Sequence, residues 1–439
     1  MIKVRPPRLR ASRPALADSS VSFLRQGYDF MGQQCDDQGG DVAEVRLLGR
    51  RTFLLRGSAA ARLVYNSGSF HRAGALPRRA QRTLTGVGGV QSLDGAEHAH
   101  RKALFVDLLD DKAARVISAL FLASLRRQFP AWERARSVNL LDAASYSLCE
   151  AASLWVGLPP VTTAELRHRT GQLRAMIESG ARLGPAHWRG RLARKRQESF
   201  LAGVVGKARS EPTPTVQAPL HKIAFHTDAA GLQLPPRIAA VEVLNLLRPI
   251  VAIARYVAFA AHALAVNPEA RHAVEEPDEA ARRSFAHEVR RFYPFFPAIA
   301  AIASRDVSFE GVTIPEGTRV MLDLHASNHH PGDHPVPGSF HAHRYSRAPG
   351  QFDLVAQGGG DVRAGHRCPG EDVTTAVITT ALGVLLDELD YVPITRSRIA
   401  HGSIPTGPAF GPILDSVRRS GLPVPEVMRR SGDSAGTRD

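Results

Sequence analysis

A glycine-rich loop around one cysteine constrains this chain more than any other stretch. Within residues 358–371, Cys368 is followed by Pro369 and Gly370, and then by an apolar run at helical spacing from 373 to 386. Proline is tolerated in the first turn of a helix, so the pattern predicts that Cys368 lies at a helix N-terminus. Amide donors and the helix dipole favour a thiolate there, and Gly370 lets a flat ligand approach the backbone. A buried structural cysteine is the usual alternative, but the flanking residues favour an axial ligand for haem iron.

The composition indicates a globular protein of a reducing compartment. The 439 residues are 44% hydrophobic and 22% charged, which is enough for a large core. Three widely spaced cysteines, Cys35, Cys149 and Cys368, argue against a disulfide framework and for a cytoplasmic location. The net charge of +14 comes mostly from scattered arginines, without a basic block interleaved with aromatic residues. Nucleic-acid binding is therefore not expected, whereas an anionic small substrate suits the charge.

The ends of the chain indicate the bounds of the folded domain, and its most apolar run indicates whether it is inserted in a membrane. Residues 1–19 are predicted to be a mobile arm without the apolar segment of a signal peptide, and 425–439 a disordered tail. A single domain is expected over 20–424. The apolar run 238–266 is interrupted by five polar or helix-bending residues, so a buried helix is expected rather than membrane insertion. These are Glu242, Asn245, Arg248, Pro249 and Arg255.

Hydrophobic periodicity predicts a mainly α fold with a small β portion. A β-hairpin is predicted over 43–56, and short strands over 307–309, 312–314 and 320–324. The predicted helices cover 57–65, 95–135 with an interruption near Pro130, 138–155, 164–184, 188–208, 236–266 and 279–293. Residues 325–357 are expected to form an irregular segment rich in histidine and proline.

Three charged residues and the cysteine loop together carry a resemblance to a known family. Glu288 and Arg291 lie three residues apart on one predicted helix face, which alone is typical of a surface salt bridge. With Arg344 further along and Cys368 in its loop, the pattern resembles the cytochrome P-450 haem-thiolate superfamily. The resemblance implies the P-450-type fold, haem b as cofactor with Cys368 as the iron ligand, and a buried triad of the three charged residues.

The details resemble the fatty-acid peroxygenase branch of that superfamily. The loop begins Gln-Gly-Gly-Gly at 357–360, and Asp361 stands where the wider superfamily has an aromatic residue. Further matching segments are spread from about residue 20 to 420, namely 46–49, 95–105, 184–188, 224–227 and 323–329.

Arg248 and Pro249 replace the acid–alcohol pair that typical monooxygenases of the superfamily carry. A cation in the middle of an apolar helix requires an anionic partner, and Pro249 frees the carbonyl of Asn245 and bends the helix. An arginine snorkelling from a kink is the alternative. The resemblance implies that Arg248 binds a fatty-acid carboxylate, which then serves as general acid–base. A bidentate pair of this kind contributes about 1.5–3 kcal/mol.

The implied activity is hydroxylation of long-chain fatty acids at the α or β carbon with hydrogen peroxide and no reductase. Three alternatives stay open. They are a fatty-acid decarboxylase that forms terminal alkenes, a reductase-dependent monooxygenase, and a non-catalytic haem sensor or fatty-acid carrier.

The resemblance also assigns residues around the substrate and the cofactor. Gln91 matches a distal-pocket position, and Thr85 and Phe296 stand where relatives carry an aromatic residue and a glycine. Cofactor contacts are expected from Arg72, His98, Lys102 and Gly370, although His98 and Lys102 could equally form one polar helix face. The histidines of 325–343 lack a zinc-ligand spacing, so no metal site is expected among them.

Overall fold

The computed structural model describes residues 17–135, 137–180, 182, 184–211, 218–394, 399–406 and 413–421. Nearly all of the predicted N-terminal arm and the whole predicted C-terminal tail lie outside these residues. The same holds for parts of the predicted loops at 211–219 and 403–412. The single domain over 20–424 stays a prediction.

Helices make up most of the described chain. In order they are α1 (Ser20–Gln26), α2 (Asp29–Gln38), α3 (Gly57–Asn66), α4 (Arg78–Gln81), α5 (Gly95–Leu108), α6 (Asp111–Ala135), α7 (Leu140–Val156), α8 (Thr163–Glu178), α9 (Pro185–Ser210), α10 (Pro219–Ala224), α11 (Pro236–Ala252), α12 (Ala254–Val266), α13 (Pro268–His272), α14 (Glu279–Phe292), α15 (Leu324–Asn328) and α16 (Glu371–Gly383). The predicted mainly α class is confirmed.

The interruption predicted near Pro130 is wrong. Helix α6 runs through Pro130, because buried aromatic residues such as Phe129 and Trp132 hold that turn against the core. The break lies earlier, between Leu108 and Asp111. There the Asp110 carboxylate accepts a hydrogen bond from the Ala113 amide at 2.8 Å and starts the new helix.

The long apolar helix is divided at Ile253, four residues after Pro249. Residues 236–266 are long and apolar enough to cross a membrane, but 78% of their most apolar window is buried inside the protein. Together α11 and α12 therefore form the core helix of a soluble protein, as predicted. They pack against α7, and α12 also packs against α14 and α16.

The strands form three small sheets. They are β1 (Val42–Leu47), β2 (Arg50–Leu55), β3 (Phe70–His71), β4 (Ser137–Asn139), β5 (Ala298–Ala303), β6 (Val307–Phe309), β7 (Val312–Ile314), β8 (Arg319–Asp323), β9 (Leu389–Ile394) and β10 (Ile413–Arg419). The largest sheet has the order β1-β2-β8-β5-β3, and β2 and β8 pair in parallel with Phe53 opposite Val320. The predicted hairpin and the strands near 307–324 are confirmed.

Candidate active site

A cavity of about 290 Å³ lies where α11 and α12 approach the loop before α16. Cys368 and Gly370 line it on the loop side, and Arg248 and Pro249 line it on the helix side. Two of the predicted residues are absent from its lining, Arg72 and Thr85. The structure thus brings eight of the ten predicted site residues to one cavity. These are Gln91, His98, Lys102, Arg248, Pro249, Phe296, Cys368 and Gly370.

The Cys368 thiol is fixed by donors on its own loop. Its sulfur accepts hydrogen bonds from the Gly370 amide at 3.4 Å and from Gln357 Nε2 at 3.8 Å. Helix α16 begins only at Glu371, after Gly370 as N-cap, so the predicted place of Pro369 in the first turn is wrong. Burial and the Glu371 carboxylate raise the pKa of Cys368, and together they outweigh the Gly370 amide and Lys102, which lower it. A metal ion bound to the sulfur has the opposite effect, because a coordinating thiol loses its proton.

Two arginines hold the cysteine loop in place. Glu371 binds Arg367 at 2.7 Å and Arg290 at 2.6 Å, and Arg290 also donates to Gln357 Oε1 at 3.0 Å. Gln357, which touches the sulfur, is thus oriented by a cation on α14. No pattern in the sequence indicates this contact, because α14 and the loop are far apart in the chain.

The predicted triad of Glu288, Arg291 and Arg344 is present. Glu288 is fully buried and lies 2.7 Å from Arg291 and 3.0 Å from Arg344. Arg291 also donates to the carbonyls of Asn328 and Pro337, each at 2.9 Å. Since two arginines converge on one buried carboxylate and Arg291 also binds carbonyls of the irregular segment 325–357, the triad fixes that segment against α14.

One edge of the cavity carries cationic and imidazole groups. Lys102 donates to the Arg367 carbonyl, and the rings of His98 and His366 stack at 3.8 Å between centroids. Burial lowers the pKa of His98 to about 4 and that of His366 to about 3, although Asp94, 3.6 Å from His366, acts in the opposite direction. Both rings are therefore neutral at neutral pH. Arg72 is absent from the lining, but its guanidinium lies over the ring of Tyr65, which lines the cavity, and donates to the Ala300 carbonyl at 2.9 Å. His366 was not predicted as a site residue.

A haem suits this set of donors. Among the described residues the cavity offers one thiol, held by a backbone amide, and at another edge it offers Lys102 and two imidazoles. A thiolate ligand for iron and cationic partners for propionate groups are the interactions that a haem requires.

Arg248 is a cation without a partner in the described chain. Its Nε is buried and has no hydrogen-bond acceptor there. Burial and the neighbouring Arg194 lower the pKa of Arg248 to about 9, which leaves the guanidinium charged at neutral pH. Arg194 is itself fully buried and donates to Glu198 at 2.6 Å. Arg248 is thus a preformed site for an anion.

A chain of hydrogen bonds leads from Arg101 to Gln91. Arg101 lies 2.9 Å from Glu242, Glu242 accepts from Asn245 Nδ2 at 2.9 Å, and the same Nδ2 donates to Gln91 Oε1 at 3.2 Å. Because the carbonyl oxygen of Gln91 is occupied, its NH₂ group is left for the cavity. Glu242 and Asn245 interrupt the apolar pattern of α11, and that was the only signal for the network in the sequence.

The two residues predicted to shape the substrate pocket differ in position. Phe296 lines the cavity and is 39% exposed. Thr85 lies outside the lining, and its hydroxyl is buried without a partner among the described residues. Of the two, only Phe296 is placed to limit the width of the cavity.

The comparisons with known proteins agree with this geometry. A family model described as Cytochrome P450 matches residues 283–399. A variant of cytochrome P450SP alpha (CYP152B1) is 36% identical, with a TM-score of 0.89, and the match covers 92% of this chain and 100% of that one. The chain belongs to the CYP152 family of cytochrome P450 proteins. It is thus a haem-thiolate oxidoreductase of the predicted peroxygenase branch.

Two other CYP152-type structures are similar over most of the chain. P450EX alpha (CYP152N1) with myristic acid is 36% identical with a TM-score of 0.87, covering 94% of this chain and 100% of that one. A variant of cytochrome P450 OleT with arachidonic acid is 28% identical with a TM-score of 0.88, covering 93% and 98%. The cytochrome P-450 monooxygenase DoxA of Streptomyces peucetius subsp. caesius is 28% identical over 299 residues, 66% of this chain and 65% of that relative's length.

Proposed function

We propose that this CYP152 protein uses hydrogen peroxide to hydroxylate long-chain fatty acids at the α or β carbon. The observation that carries the proposal is the unpartnered Arg248 guanidinium in a cavity whose described lining contains no aspartate or glutamate. An anionic substrate is required to satisfy the cation, and the site has no carboxylic acid of its own to handle protons. The myristic and arachidonic acids in the related structures suit such a site.

Cys368 would hold the haem iron as its thiolate ligand, while Lys102, His98 and Arg72 would bind its propionates. The haem, when bound, supplies the iron at which peroxide reacts. Gly370 carries no side chain, so nothing on that residue obstructs a flat ligand beside the sulfur.

Arg248 orients the substrate and makes it part of the catalytic machinery. It holds the carboxylate where that group can accept a proton from peroxide and return it to the departing oxygen. Positioned acid–base assistance of this kind contributes about 10²–10⁴ in rate. The fatty acid thereby replaces the acid–alcohol pair of typical monooxygenases of the superfamily, and only substrates that carry a carboxylate are oxidised efficiently.

Gln91 favours hydroxylation over loss of carbon dioxide. Its amide is held by Asn245 at 3.2 Å and does not titrate near neutral pH. A histidine in its place would exchange protons in that range. We therefore expect α- and β-hydroxy acids as the main products, with terminal alkene as a minor one.

The activity is tested by supplying the two oxidant systems separately to the purified haem-loaded protein. Myristic acid with hydrogen peroxide should yield hydroxymyristic acids by mass spectrometry, and NADPH with a reductase should not. Product formed only with the reductase would favour a conventional monooxygenase, and spectral shifts without product would favour a sensor or carrier. The proposal includes a cytoplasmic location. Peroxide is the only co-substrate that the reaction needs.

Arg248→Ala tests the substrate-assisted step. It should abolish fatty-acid oxidation while haem content stays unchanged, whereas Arg237→Ala, at an exposed position on the same helix, should keep full activity. A short carboxylic acid added to the wild type should allow oxidation of small neutral molecules, because the acid occupies the Arg248 site. Near-normal turnover by Arg248→Ala would contradict the mechanism.

A further inference from the structure

Three side chains with metal-binding atoms meet away from the cysteine loop. They are Asp29 at the start of α2, His325 in α15 and His401 in the loop 399–406, and their candidate ligand atoms lie within 4.8 Å of one another. His401 Nδ1 is 2.8 Å from Asp29 Oδ1, and its ring packs edge-on against His325 with centroids 5.2 Å apart. No spacing in the sequence indicates this cluster, because Asp29 and His401 are 372 positions apart.

The backbone fixes two of these residues relative to each other. The Tyr28 amide donates to the His401 carbonyl at 3.0 Å. A Cβ atom at Gly27 would lie 2.1 Å from the same carbonyl oxygen, so glycine is required for this close approach. Asp29 and His401 are therefore held together by main-chain contacts that do not depend on their side chains.

Two polar atoms around this cluster are buried and have no partner in the described part of the chain. His325 Nδ1 is one of them. The other belongs to Asp323, which is 1% exposed and accepts from the Ala326 amide through Oδ1 but has nothing at Oδ2. The surroundings of His325 thus favour an added cation.

We propose that Asp29, His325 and His401 bind a divalent transition-metal ion of the zinc type, with water as the fourth ligand. Two imidazoles and one carboxylate match the preference of Zn²⁺, Co²⁺ and Ni²⁺, whereas Mg²⁺ and Ca²⁺ require mostly oxygen ligands. Metal–ligand bonds of about 2.0–2.1 Å imply roughly 3.3 Å between ligand atoms of a tetrahedral site. The 2.8 Å contact between Asp29 and His401 would open by about half an ångström.

The proposed ion would link distant segments to the wall of the catalytic cavity. Leu324, the residue before His325, lines that cavity. An ion at His325 would therefore join the start of α2 and the loop 399–406 to a wall that contacts the substrate.

Zinc binding by the untagged, haem-loaded protein tests the proposal. After treatment with a chelator, equilibrium dialysis against Zn²⁺ with metal analysis should give about one tightly bound zinc per chain, and Mg²⁺ should not bind. His401→Gln and His325→Gln should each weaken zinc binding by about a hundredfold. Loss of a group that only supports a metal ligand costs about 10–100-fold in affinity, and loss of a ligand itself should cost at least as much. Zn²⁺ should also raise the thermal unfolding temperature of the wild type and not that of either variant.

His272→Gln is the matched control. His272 lies 3.1 Å from Glu275 in a pair of similar chemistry, but its side chain is 88% exposed and lacks a third ligand. This variant should bind zinc as the wild type does. Equal zinc occupancy in the wild type and in both site variants, each with normal haem content, would overturn the proposal. Absence of tight zinc binding by the wild type would overturn it as well.

Discussion

Replacing Arg248 by methionine should stabilise the ligand-free protein and remove its response to fatty acids. Burial and Arg194 lower the pKa of Arg248 to about 9, well below the ordinary value of an arginine. A pKa difference of one is equivalent to about 1.36 kcal/mol, so holding this cation destabilises the fold by at most about 5 kcal/mol. Because the folded-state pKa is the lower one, this cost is present at every pH below about 9 and declines as the pH rises from there towards the ordinary arginine pKa. The guanidinium reaches a cavity that water can enter, so we expect a gain of about 1–3 kcal/mol from the substitution.

Thermal unfolding of the haem-loaded proteins, with and without myristic acid, measures both effects. Without ligand, Arg248→Met should unfold a few degrees above the wild type, at about 2 °C per kcal/mol. At a ligand concentration of a hundred times Kd, the wild type should gain about 2.7 kcal/mol and the variant almost nothing. Arg237→Met, at an exposed position of the same helix, should match the wild type in both conditions. A lower unfolding temperature for ligand-free Arg248→Met would show that the cation is already compensated. Full stabilisation of that variant by myristic acid would place the carboxylate elsewhere.

Three further substitutions test the cysteine, the distal amide and the buried ion pair. Cys368→Ser should lose the red-shifted Soret band of the ferrous–CO complex, and Cys149→Ser should keep it; a retained band in the first variant would exclude Cys368 as the ligand. Gln91→His should raise the share of terminal alkene in chromatography of the products, and an unchanged distribution would show that this position does not steer the reaction. Glu242→Gln should lower the free energy of unfolding by about 3 kcal/mol in denaturant titrations, because Arg101 then lacks its buried counter-charge. It should also change the α/β product ratio, and an unaltered ratio would mean that the hydrogen-bond chain does not position Gln91.

Helices and the cysteine loop were predictable because their determinants are local. Hydrophobic periodicity marks long helices such as α7 and α14, and the residues that hold Cys368 lie largely within its own loop. The strand β5 was missed since its sequence, Ala-Ile-Ala-Ala-Ile-Ala, carries little strand preference and is defined by pairing with β8. The break near Leu109 was missed because the Asp110 cap is a weaker sequence signal than Pro130.

The catalytic cavity was predicted in outline, whereas the groups that orient it were not. Arg248 stands out in the sequence as a charge within an apolar helix. The partners of Gln91 and Gln357 come from α11 and α14, and such long-range contacts leave no trace in spacing. Arg72 was assigned to the cofactor by resemblance, yet in this structure it donates to a backbone carbonyl of β5.

The parallel pairing of β2 with β8 has a consequence for synthesis on the ribosome. Thr52 and its partner Arg319 are 267 positions apart, so at about 5–20 residues per second the hairpin waits roughly 15–50 s for the strand that completes its sheet. During that time the free edge of β2 and the apolar side chains of Phe53 and Leu55 are exposed on the nascent chain. The hairpin is therefore open to wrong strand pairing during translation.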